Sequence, residues 1–231
     1  MADTTSKMIE FQSNDHTTPG YLAQPEGDGR FPGLVVIQEW WGLVPHIKDV
    51  AERFAGEGFV ALAPDLYHGQ AASEPDEARK LSMELDRNRA VAEIVAAISY
   101  LQSLERVAPK MIGVVGFCMG GSLAVATAAA SQEVGAAVVF YGMPPELEIV
   151  RTIQAPLLGL YGEKDHGIPV DRVRSLEQEL ESHGVKHEIH IYPGAGHAFF
   201  NDARPHIYQP EAAQDAWGRT LRWFRHHLVQ G

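Results

Sequence analysis

Short apolar runs alternate along this chain with longer amphipathic stretches, a pattern that predicts strand, helix, strand units and hence a mostly parallel sheet. The N-terminal part departs from it, because Lys7 to Gln12 and Pro19 to Gln24 read as hairpin strands around the polar turn Ser13 to His16. Further strands are predicted over Leu34 to Gln38, Phe59 to Ala63, Met111 to Val115, Ala136 to Tyr141, Pro156 to Tyr161 and His187 to Tyr192. Helical spacing covers His46 to Gly56, a long stretch from about Pro75 to Val107, Met119 to Ser131 and Val170 to His183, where Gly184 ends it. The last helix, Pro210 to Val229, carries an apolar face of Ala213, Trp217, Leu221, Phe224 and Leu228. About eight strands flanked by helices on both faces in a single α/β domain is the architecture expected, with Asp65 to Ser73 as a polar connecting loop.

Composition narrows the function classes. Nineteen basic against thirty acidic side chains give a formal charge of −11 without a basic stripe, which argues against nucleic-acid binding. No apolar run approaches the roughly 20 residues a spanning helix needs, so no membrane partner is expected. One cysteine and no charged-then-apolar leader in MADTTSKMIE point to the cytoplasm, as a monomer or small homo-oligomer. No cofactor is expected and no metal. His187 and His190 lie three apart on a strand and therefore point to opposite faces.

That single cysteine, Cys118, sits between the strand ending near Val115 and an alanine-rich helix, in VVGFCMGGSLAVA. Gly116 and Gly120 flank it as G-x-C-x-G, the spacing of a nucleophile elbow, where a tight strand-to-helix turn lifts the reactive atom above the sheet. Two other readings compete. A lone cysteine is often an inert buried residue, and glycines after a strand can cradle a dinucleotide. The second would want glycine at 118 and an acidic residue closing the next strand, which reads Val138, Val139, Phe140, Tyr141.

In open α/β sheets, functional groups gather on the loops after the strands. Gly162-Glu163-Lys164-Asp165 and Pro193-Gly194-Ala195-Gly196-His197 follow two of them, in the chain order nucleophile, acid, histidine. An ordinary thiol titrates near about 8.5, and a helix N-terminus offers only ~0.3–1 kcal/mol, so a base is required. His197 would take the thiol proton and Asp165 would orient the imidazole, with Glu163 an equally charged neighbour. The backbone N–H groups of Met119 and Trp40 are the expected oxyanion donors.

These residues resemble the dienelactone hydrolases, cysteine members of the α/β-hydrolase superfamily. The likeness runs through QEWWG at 38–42, APDLYHG at 63–69, GFCMGG at 116–121, GEKD at 162–165 and GAGHAF at 195–199. It implies that Glu39 contacts the resting thiol and takes its proton when substrate displaces the carboxylate. It also implies two arginines holding a substrate carboxylate, one of them four residues past the histidine. Here that position is Asn201, and SEPDEAR before the long helix offers no match for the other. Trp41, Tyr67, Phe199 and Asn201 are the expected substrate contacts. Together these readings predict hydrolysis of small activated esters or lactones through an acyl-thioenzyme. A broader carboxylesterase or thioesterase, or a non-catalytic binding or redox-sensing protein, would carry the same residues.

Overall fold

A computed structural model describes residues 3–14 and 16–229. Among these described residues, eight strands form one sheet: β1 (Thr4–Ser13), β2 (His16–Pro25), β3 (Gly33–Ile37), β4 (Val60–Pro64), β5 (Ile112–Phe117), β6 (Val134–Phe140), β7 (Leu157–Gly162) and β8 (His187–Tyr192). Their spatial order is β1-β2-β4-β3-β5-β6-β7-β8, antiparallel at β1/β2 and β2/β4 and parallel from there on. The central strands β3, β4, β5 and β7 are buried along their whole length, as expected where helices cover both faces.

Among the described residues the helices are α1 (Pro45–Gly56), α2 (Pro75–Glu84), α3 (Arg87–Ser103), α4 (Met119–Ala130), α5 (Val170–Ser182) and α6 (Pro210–Phe224), of which α2 packs through Ala78 against Trp41 and Ala72 instead of on the sheet. Phe54 of α1 packs on Trp217 and Phe224 of α6, at ring separations of 4.5 and 6.2 Å, so these two helices share a face. The opposite face belongs to α3 and α4. Neighbouring glycines mark the two sides: a Cβ on Gly113 would meet Phe224, whereas one on Gly33 would meet Leu101 of α3.

The long helix expected from Pro75 to Val107 is two helices. The chain leaves helical geometry at Leu85, and Asp86 restarts it by accepting hydrogen bonds from the backbone N–H groups of Asn88 and Arg89 at 2.9 and 3.1 Å. At the far end, α6 passes into a π-helical turn over Arg225–Val229 where a continuous helix was expected. Strand β5 runs two residues further than predicted, directly to the cysteine.

Candidate active site

Three crossovers deliver their residues to one end of the sheet. Between β5 and α4 the chain turns through Cys118 at φ 54°, ψ −116°, a conformation costly for any residue with a side chain. Close approach on either side enforces it. A Cβ on Gly116 would lie 1.9 Å from the Gly120 carbonyl oxygen, and one on Gly120 would lie 2.4 Å from that of Gln38. The Cys118 N–H is held by the Phe140 carbonyl at 3.0 Å, and the half-buried sulfur stands at the N-terminus of α4.

His197, on the loop after β8, reaches back to both earlier residues. Its Nε2 lies 3.2 Å from Cys118 Sγ, and its Nδ1 lies 2.6 Å from Asp165 Oδ2. The other Asp165 oxygen accepts from the N–H groups of Gly167 and Ile168 at 2.9 and 3.1 Å, which fixes the carboxylate. Glu163 turns the other way and accepts from the Gly194 N–H at 2.8 Å, so it braces the histidine's loop instead of touching the ring. Burial disfavours a charged imidazole, but the hydrogen bonds to Asp165 and Cys118 and the charges there outweigh it, and the His197 pKa rises to about 10.

Glu39 follows β3 and is 1% exposed. Its hydrogen-bond partners are Asn201 Nδ2 at 2.7 Å and the Tyr141 hydroxyl at 3.4 Å, while the sulfur's partner is His197. Burial raises its pKa above the ordinary carboxylate value, against lowering contributions from Asn201, His197, Tyr141 and Arg204. A cavity of about 370 Å³ opens over these groups, lined by Glu39, Trp40, Trp41, Cys118, His197 and Arg204 among others. That size suits a small molecule.

The remaining expected contacts divide. Trp41 borders the cavity, and the Arg204 guanidinium stacks over its ring at 4.5 Å. Tyr67 stands behind the wall, its hydroxyl bonded to the Trp40 carbonyl at 3.1 Å and close to Met119 Sδ at 3.5 Å. Phe199 is fully buried among Phe140, Tyr141 and Tyr192, so it packs the core and does not face a substrate. Asn201 is likewise buried and spends its amide on Glu39. Arg204, three residues past Asn201 in the sequence, was not among the expected contacts, and neither was Tyr141. The second had a usable signal, because it follows directly on β6, at the sheet end where the other functional groups collect.

The profile of the Dienelactone hydrolase family matches residues 18–228. The chain belongs to that family. Among its relatives is the protein usf of Aquifex pyrophilus, 38% identical over 231 residues that cover 96% of this chain and 99% of the relative. A carboxymethylenebutenolidase-like protein of Aquifex aeolicus is 36% identical over 230 residues, covering 96% and 99%. A crystal structure of a dienelactone hydrolase-like protein from Klebsiella pneumoniae superposes with a TM-score of 0.87 at 32% identity, covering 96% of this chain and 98% of that one. As a dienelactone hydrolase family member, the chain is a hydrolase with the α/β-hydrolase fold.

Proposed function

We propose that this hydrolase cleaves small activated esters or lactones through an acyl-thioenzyme on Cys118, with His197 and Asp165 completing the triad. The observation that carries the reading is His197 bridging the sulfur at 3.2 Å and the Asp165 carboxylate at 2.6 Å. With its pKa raised to about 10, His197 is the base that takes the thiol's proton as the sulfur attacks the substrate carbonyl carbon. The carbonyl π pair moves onto oxygen, facing the N–H groups of Met119 and Trp40. Collapse breaks the ester C–O bond, the leaving oxygen takes the proton from His197 Nε2, and a thioester remains. Water then gives a proton to His197 as its oxygen attacks the thioester, releasing acid and restoring the thiolate.

Glu39 is a reserve proton acceptor in this scheme, buried at the cavity wall with its pKa raised. Thiolate is expelled more readily than an alkoxide, so the substrates that acylate well are those leaving as enolate or phenolate. Arg204 on Trp41 offers a cation at the rim where the Asn201 position offers none, and the rest of the lining is mostly apolar. Hydrolysis of p-nitrophenyl acetate and an unsaturated lactone by wild type and Cys118→Ala tests the scheme. A loss of at least ~1,000-fold in kcat/KM is expected, the scale on which nucleophile removal acts. Equal rates from the two proteins would overturn it.

A further inference from the structure

Away from this cavity, three elements bring metal-ligating groups together. His16 opens β2, His68 lies on the loop after β4, and Glu93 projects from α3. Glu93 is 1% exposed, and its Oε1 alone has three nitrogen neighbours: His16 Nε2 at 2.9 Å, His68 Nε2 at 3.0 Å and Arg89 Nε at 2.8 Å. These ligand atoms of His16, His68 and Glu93 all lie within 4.8 Å of one another.

Protons alone serve this cluster badly. His68 Nε2 must carry hydrogen to bond Glu93, yet it also lies 3.1 Å from Arg89 Nη2, which can only donate. A nitrogen cannot present both a hydrogen and a lone pair on one site. A divalent cation removes the conflict, since both imidazole nitrogens and the carboxylate oxygen then all act as electron-pair donors. We infer that His16, His68 and Glu93 form a zinc-binding site. A tetrahedron with bonds of about 2.1 Å has edges of roughly 3.4 Å, so the 2.9 and 3.0 Å separations open by only a few tenths of an ångström.

The ligand set is two imidazoles and a carboxylate, which suits zinc and leaves its fourth position for water. Arg89 now supplies the positive charge beside Glu93. Its side chain is 52% exposed and free to swing outward when the ion replaces it. Occupancy would tie the start of β2, the loop after β4 and α3 into one unit. His68 holds φ 51° and adjoins Tyr67, so the ion would also fix the loop that stands behind the catalytic cavity wall.

Zinc titration against a chromophoric chelator, paired with thermal unfolding in zinc and in EDTA, tests the site in the Cys118→Ala background. That background removes the thiol–imidazole pair as a competing ligand set. One equivalent of zinc is expected to bind and raise Tm. His68→Asn keeps a residue that tolerates the left-handed backbone, and with His16→Gln it should weaken binding by more than about 100-fold, beyond what loss of a supporting partner costs. Unchanged folding of these variants in EDTA separates loss of ligands from loss of structure. Arg89→Met should tighten binding about tenfold or more by freeing the carboxylate oxygen, a charge effect of ordinary size. Failure of the parent to bind zinc, or equal binding by the histidine variants or by Arg89→Met, would overturn the site.

Discussion

In the proposed scheme, His197 governs how the sulfur behaves near neutrality. An unassisted thiol at pH 7 is about 3% thiolate, given an ordinary pKa near 8.5. A cationic imidazole 3.2 Å away favours the ionised sulfur. His197→Gln is therefore expected to slow alkylation of Cys118 by iodoacetamide at pH 7, with the gap closing at high pH as any thiol ionises. A variant alkylated as fast as wild type at pH 7 would remove the imidazole from sulfur activation. Positions at strand ends made Cys118, Asp165 and His197 legible in the sequence. Arg204 and the inward turn of Phe199 were not, because both depend on how the segment after His197 folds back over the sheet. Nothing in the spacing of GAGHAFFNDAR says which of its aromatics enters the core.

At the level of elements, alternation of period identified the strands, and the parallel sheet followed from it. The break between α2 and α3 escaped because no Gly or Pro marks it and the apolar spacing of Leu81, Leu85 and Ala90 runs on through the boundary. What ends α2 is a preference of Asp86 for capping over continuing, a local hydrogen bond worth more there than one further turn. Asp86→Ala should cost about 1 kcal/mol, read as a lower urea midpoint at unchanged slope, whereas no loss would mean that tertiary packing alone sets the break. The metal-ligating cluster escaped for a related reason. His16, His68 and Glu93 are far apart in sequence, and only the meeting of hairpin, loop and helix joins them.

Over the whole molecule, the site makes stability depend on pH in one direction. His197 has its folded pKa raised from 6.5 to about 10, so its contribution is full below pH 6.5 and fades as pH climbs through 10. Glu39 also binds its proton more tightly when folded, so the cost of keeping it ionised grows as pH rises above 4.5. Glu39→Gln removes that cost. Its Tm relative to wild type should increase from pH 4.5 to pH 8. A Tm penalty of the same size at both pH values would show that the carboxylate is not an ionic burden on the fold.

The sulfur and its base lie 79 residues apart in the chain, and the base follows β8 at the outer edge of the sheet. During synthesis on the ribosome, the cysteine therefore emerges long before anything can activate it. In the proposed scheme an unfinished chain has no imidazole beside its thiol, and the chemistry begins only when the loop after β8 brings His197 to the sulfur.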